Sequence, residues 1–393
     1  MREELRKREG AISDKPIREM LFHDYHVVYA DFAAKITDAD LVAPRLAEFA
    51  IRSARKCAVS GRPFMNGIRY LMENLEWGVE TDLTRAYMDI VVSRCGVGAL
   101  DEAEQKCLSG EFVLDQVCGI DFTSAPQPGK PITVARGLLD DHKLEIVIVD
   151  ELTTWKAFEN HLNRDGEWVT AIDFPFSQPR KLIENLGWPT SWADCVEQLT
   201  KISKQNFVRT LREYQAPRAD GDRRHFRAVD RLAGSCSPMQ LDFVPVAQMF
   251  FEGAPRLVRS TCSIVPLRLI EGAKRILVEG YPALVVRNIV GKLKYKAEER
   301  RAWTQCLADA RRQILDAIKD EHGKFAITYG FSCSIPAEIQ QRCVDDGTGD
   351  VLDAVLCAAQ AAWALSLAKS GYGIPTDSDP IEGWIADPSL KSI

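Results

Sequence analysis

Val117-Cys118-Gly119-Ile120-Asp121 is a short apolar run closed by an aspartate, with the turn formers of FTSAPQPGK directly after it. Four apolar residues in a row, two of them β-branched, read as a strand buried on both faces. A carboxylate placed at the end of such a strand is costly to bury without compensation. It asks either for a turn-capping role, as in an Asx turn, or for a partner that neutralises it. Trp168-Val169-Thr170-Ala171-Ile172 repeats the pattern, closing on Asp173 and passing into Phe174-Pro175-Phe176-Ser177. Between the two lie Pro131–Ala135 and Lys143–Val149, rich in β-branched residues and set off by SAPQPGK and LLDDH. These predict a three-stranded meander. TTWKAFENHLNRDGE then reads as a helix, so the order is β-β-β-α-β.

A third acidic pair, Asp350 and Asp353, opens the long apolar run VLDAVLCAAQAAWALSLA. That run predicts a helix apolar on most sides, hence buried. Residues three apart share a helix face. Acids in a first turn are also favoured by the helix dipole alone, which is the ordinary explanation for this pair. Asp345 and Asp346, just ahead, add to the local negative field. Arg275–Glu279 reads as a further strand, running into Gly280-Tyr281-Pro282. Residues 177–272 are punctuated by prolines from Pro179 to Pro266 and read as a large insertion after the fourth strand, with SWADCVEQLTKISKQNFVRTLREYQ as a helix inside it. AEERRAWTQCLADARRQILDAIKDEHG reads as a charged amphipathic helix. Residues 1–112 carry apolar residues at three- and four-residue steps and predict a helical N-terminal region. The expected division is 1–112 and 113–393.

Bulk properties narrow the function classes. At 393 residues the chain exceeds the ~100–200 residues of a typical domain. A net charge of -6 argues against coating nucleic acid by bulk charge, and leaves room only for a local basic groove. No apolar run reaches the ~20 residues that span a bilayer. The charged N-terminus MREELRKREGAISDK lacks a signal-peptide core, so a cytoplasmic location is expected. The 11 cysteines form no CxxC pair, which argues against a zinc site, and without a secretory signal a disulfide framework is not expected. Neither a GxxxxGK[ST] loop nor a GxSxG elbow is present.

Basic residues gather in two places. Arg209, Arg212, Arg218, Arg223, Arg224, Arg227 and Arg231 fall within the insertion, and Lys292, Lys294 and Lys296 alternate through GKLKYK with Tyr295 between them. Arg223, Arg224, Arg227, Lys292 and Lys294 are the candidate phosphate-backbone contacts. Asp220, Asp222 and Asp230 interrupt the arginines, so a solvated, salt-bridged face is the alternative.

Taken in order, GIDFTSAP, AIDFPFSQP, the strand ending in Glu279-Gly280-Tyr281-Pro282, DVLDAVLCAAQAAWA and Glu382-Gly383-Trp384-Ile385 resemble the domain of unknown function 429 family. That family is a predicted branch of the ribonuclease H-like superfamily, akin to RuvC-type nucleases. The resemblance covers about residues 115–388 and departs at Gly280, where a β-branched residue is more usual. It implies a mixed five-stranded α/β sheet flanked by helices, with the first and fourth strands adjacent. It places Asp121, Asp173, Asp350 and Asp353 as catalytic and metal-binding acids, with Glu279 as a further metal ligand. Neighbouring carboxylates raise one another's pKa unless a cation neutralises them, and Mg²⁺ or Mn²⁺ suits oxygen ligands. The expected function is a divalent-metal-dependent nuclease or phosphodiesterase acting on DNA or RNA by two-metal in-line hydrolysis. The alternative is a non-catalytic nucleic-acid- or protein-binding protein on the same scaffold. A nucleotide-hydrolysing actin-like protein ranks last, because SAPQPGK supplies only Gly129 where a phosphate loop would be glycine-rich.

Overall fold

The computed structural model describes residues 117–390, apart from 141, 165 and 298. The helical region expected over 1–112 lies outside the described residues. Strands β1 (Val117–Asp121), β2 (Ile132–Asp140) and β3 (Lys143–Leu152) form an antiparallel meander. Helix α1 (Trp155–Leu162) starts at Thr154, whose hydroxyl accepts the Ala157 N–H at 3.1 Å and so satisfies a first-turn donor. The chain then returns as β4 (Trp168–Asp173), parallel to β1.

Helices α2 (Arg180–Asn185), α3 (Trp192–Leu199), α4 (Lys204–Gln215), α5 (Ala228–Ala233) and α6 (Val246–Arg259) follow, with β5 (Ser263–Ile264) ahead of β6 (Arg275–Glu279). After β6 come α7 (Pro282–Val290), α8 (Gln305–Lys319), α9 (Lys324–Tyr329), β7 (Ser332–Ser334), α10 (Ala337–Asp345) and α11 (Asp350–Ser366). The result is an α/β fold around a mixed sheet in the order β5-β6-β4-β1-β2-β3-β7.

The sheet has seven strands, where five were expected. The two extra ones are edge strands of 2 and 3 residues, β5 and β7, too short to carry a readable period. The helical stretch expected over Ser191–Gln215 is made of two helices, α3 and α4. Ser203 restarts it by accepting the Asn206 N–H at 3.2 Å, because a side-chain cap competes with continued helix. The charged helix expected from Ala297 begins only at Gln305, capped by Thr304. Pro255 sits inside α6 rather than ending it.

Alternation along the strands divides two cores. Val117, Val169, Ala171, Ile276 and Val278 pack into the core that holds α11. Ile120, Trp168, Ile172 and Leu277 face the opposite core, with residues of α1, α3, α4 and α6. Helix α11 is buried continuously from Val351 to Ala364 and packs across β1, β2 and β4. Burying a Val or Leu side chain in this way stabilises by ~1.5–3 kcal/mol. Gly119 allows the closest approach. A Cβ there would lie 1.9 Å from Ala358 N and 2.0 Å from Ala354 O, so the helix backbone rests directly on β1. Among the described residues, no helix is long and apolar enough to cross a membrane.

Candidate acidic site at the strand ends

Parity along the strands decides which acids meet. Asp121 lies two and four residues beyond Gly119 and Val117, and Asp173 two and four beyond Ala171 and Val169. Both carboxylates therefore share the α11 face. Asp121 and Asp173 are also direct partners in the parallel β1–β4 register. Helix α11 begins at Gly349, which takes the left-handed conformation (φ 82°), and its first turn carries Asp350 and Asp353. Because Ala354 and Ala358 rest on Gly119, that turn lies by the carboxyl ends of β1 and β4.

Crowding four carboxyl groups in a buried place has the expected electrostatic result. Burial, reinforced by Asp350 and Asp353, holds Asp121 well above the usual carboxylate range. Burial likewise pushes Asp173 up to about 7, with Asp353 and Glu279 adding to the effect and Lys296 opposing it. Asp350 is pushed up to about 6 by burial and by Asp346 and Asp353. Asp353 itself is 0% exposed. Its Oδ1 accepts the Tyr295 hydroxyl at 2.6 Å, and its Oδ2 accepts the Lys296 ammonium. Burial works against the charge on Lys296, but Asp353, Tyr295, Asp121 and Asp173 outweigh it and hold the ammonium firmly protonated.

Glu279 does not join this group, contrary to the expectation that it is a metal ligand. It pairs with Ile172 rather than Asp173 in the β4–β6 register, and alternation turns it to the side of Leu277, away from α11. There it meets Arg227, which donates to Glu279 Oε2 at 2.8 Å and to Asp230 Oδ1 at 2.8 Å, while the Phe176 N–H reaches Glu279 Oε2 at 2.9 Å. Arg227 is correspondingly no phosphate contact: it is 1% exposed, with its guanidinium consumed by two buried carboxylates. Its mutual pairing satisfies charges that would be prohibitive to bury alone.

The other basic candidates lie at the surface. Arg223, which is exposed, pairs with Asp220 at 2.9 Å, and Arg224, which is half-buried, pairs with Asp242 at 3.4 Å. Lys292 and Lys294 are exposed on the loop that leaves α7. Lys296, third in that alternation, turns to Asp353 instead, with its side chain still 40% exposed. Its alternation with Lys292 and Lys294 in the sequence reads as one outward face, so nothing local marks it as the residue that enters the cluster. Beside the cluster, a cavity of about 220 Å³ opens along β4 and β6, and Asp173 and Lys296 form part of its wall with Phe174, Met249 and Tyr281.

Oxygen donors with a shortage of positive charge suit a hard dication. Their arrangement does not: among the described residues, no three His, Cys, Asp or Glu side chains are grouped to hold a metal ion. Comparison of the chain with family models, with curated proteins and with solved structures finds no significant match.

Proposed function

We propose that the chain is a nuclease or phosphodiesterase of ribonuclease H-like type that depends on Mg²⁺ or Mn²⁺, with Asp121, Asp173, Asp350 and Asp353 as its acidic centre. One observation carries this reading. Asp121 and Asp173 stand opposite each other at the ends of parallel strands, under a helix that adds Asp350 and Asp353, and among the described residues the cation set against these acids is Lys296, paired with Asp353. Four acids remote in sequence gathered at the carboxyl ends of strands make a poor stability device, because burial of like charges is unfavourable. Such clustering of perturbed groups belongs more often to a functional site. The placing of the first and fourth strands, β1 and β4, side by side and parallel within a mixed α/β sheet supports this reading.

A divalent ion, were these acids to close around it, would supply the polarising charge that phosphodiester hydrolysis needs. The protein groups have separable tasks beside it. Asp121 and Asp173, fixed by strand register, supply rigid oxygen donors. Lys296 offsets part of the negative charge that would otherwise repel a phosphate. The adjoining cavity, with Phe174, Met249 and Tyr281 in its wall, offers apolar surface to a base, while exposed Arg223, Lys292 and Lys294 and half-buried Arg224 would meet the backbone of DNA or RNA.

The second reading, a non-catalytic protein that binds nucleic acid or another protein, is favoured by the pairing of Asp353 with Lys296 and of Glu279 with Arg227. One experiment separates them: incubation with single-stranded, duplex and branched DNA and RNA, with Mg²⁺ or Mn²⁺ and with EDTA. Cleavage that EDTA stops and Asp121→Asn removes supports the hydrolase. Binding that survives Asp121→Asn, with no cleavage under either ion, supports the second reading.

A further inference from the structure

We infer that the cavity along β4 and β6 is a pocket for one unpaired nucleobase, with Phe243 at its rim as the platform for the next base. The chain accordingly takes single-stranded nucleic acid in preference to duplex. This rests on the nucleic-acid reading above and names its substrate class.

Two unfavourable features coincide at Phe243. Its ring is fully exposed, and its backbone takes the left-handed conformation (φ 63°), which costs free energy in a residue with a Cβ. Residues that keep such a conformation cluster at ligand clamps, where their surroundings enforce it. The loop here does so. Gln240 O accepts the Ala247 N–H at 2.9 Å and closes the loop, and the Gln240 side chain donates to Val244 O at 3.3 Å. Val244, the next residue, is in the cavity wall. The ring is therefore held out to solvent beside the cavity mouth, where a stacking partner would cover it.

Size and lining suit a single base. At about 220 Å³ the cavity is smaller than the ~300–1,000 Å³ clefts that bury drug-sized ligands. Phe174, Met249, Tyr281 and Pro282 supply apolar and aromatic wall. The buried polar groups of the wall are engaged with one another: Arg227 joins Glu279 to Asp230, and the Ser235 hydroxyl donates to Asp230 Oδ1 at 3.0 Å. What remains is stacking surface with little to read a base edge, so the four bases should enter with similar ease. A base inside a duplex is already paired and stacked, and extracting it costs free energy that a free strand does not face.

Cations flank the mouth. Arg231 lies over the exposed ring of Phe226, 5.3 Å from its centroid, and Phe226 directly precedes Arg227 of the wall. Arg224 reaches Gln240 and Asp242, at the foot of the Phe243 loop, at 3.3 and 3.4 Å. Aromatic rings interleaved with cations are how single strands are held without sequence preference.

The test measures binding of labelled single-stranded DNA, single-stranded RNA and the matching duplexes by fluorescence anisotropy, in EDTA so that nothing is cut. The full chain is compared with Phe243→Ala and Phe243→Trp, changes that an exposed position tolerates. Alkylation of the exposed Cys236 thiol, in the cavity wall, is followed by peptide mass spectrometry with and without the single strand. The expected result is about tenfold tighter binding of a single strand than of duplex, and about tenfold loss of it in Phe243→Ala. Phe243→Trp should bind as wild type does, and the single strand should slow alkylation of Cys236. Either strand type, DNA or RNA, supports the inference by behaving so. Equal affinity for single strand and duplex, no loss in Phe243→Ala, or unchanged alkylation of Cys236 overturns it and leaves the nucleic-acid reading standing. No binding of any strand overturns both.

Discussion

Asp121 and Asp173 are register partners across the β1–β4 pair, and both face α11 because each ends the same alternating set of side chains. A parallel pair holds its register through backbone hydrogen bonds, so the two residues stay neighbours as long as the sheet is intact. Their mutual repulsion is therefore built into the fold, and several consequences are measurable.

The pH dependence of stability follows with a definite sign. Asp173 in the folded chain is pushed up to about 7, and Asp121 and Asp350 are raised as well, against an ordinary Asp value of ~3.9 when unfolded. A carboxyl whose folded pKa is raised contributes stability that is complete below the unfolded value and lost as pH rises through the folded one. In EDTA the protein should melt at a higher temperature near pH ~5 than near pH ~8, and Asp173→Asn should flatten that difference. Identical slopes for wild type and Asp173→Asn in thermal melts would show that Asp173 is not a source of the effect.

Gly119→Ala should be among the most damaging single changes in β1. Its new Cβ would stand 1.9 Å and 2.0 Å from backbone atoms of α11, which can yield only by moving the helix. Overpacking of this kind costs ~1–3 kcal/mol and more where backbone must shift. The displaced helix would also draw Asp350 and Asp353 from β1, so activity should fall in the fraction that remains folded. A denaturant midpoint equal to that of wild type would contradict the close approach.

Arg227→Met should destabilise by ~3–5 kcal/mol, because Glu279 and Asp230 would remain buried without their partner. The further change Glu279→Gln in the Arg227→Met background should restore part of that loss, as the uncompensated charge is removed. Unfolding by urea for the single and double variants measures the recovery, and the absence of any recovery would assign the cost to lost packing instead.

Arg223→Ala combined with Arg224→Ala should leave stability within ~1 kcal/mol, since Arg223 is exposed, Arg224 only half-buried, and solvated pairs are worth little. Binding to nucleic acid should weaken, with a shallower dependence on salt concentration, as phosphate contacts are lost. An unchanged affinity across a salt titration would remove these arginines from the interface.

Much of this arrangement was legible along the chain. The runs ending in Asp121 and Asp173 are strands because β-branched apolar residues stop at turn formers, and the residues from Val351 onward had to be buried because they offer no polar face. Local chemistry sufficed for those features. It could not say which way each acid points. Strands such as VCGID and RILVE are apolar on both faces, so their alternation has no marker, and only packing against α11 reveals that Asp121 faces it while Glu279 turns to Arg227. Lys296 was hidden for a related reason. Its place beside Asp353 depends on a loop held by Arg311, Gly347 and Trp303, contacts that come from other elements of the fold. The sequence by itself therefore determined which segments become strands and helices and that acids close two of those strands. The tertiary structure alone decided which charges share a site, because electrostatic partnership depends on distance through space and not on separation along the chain.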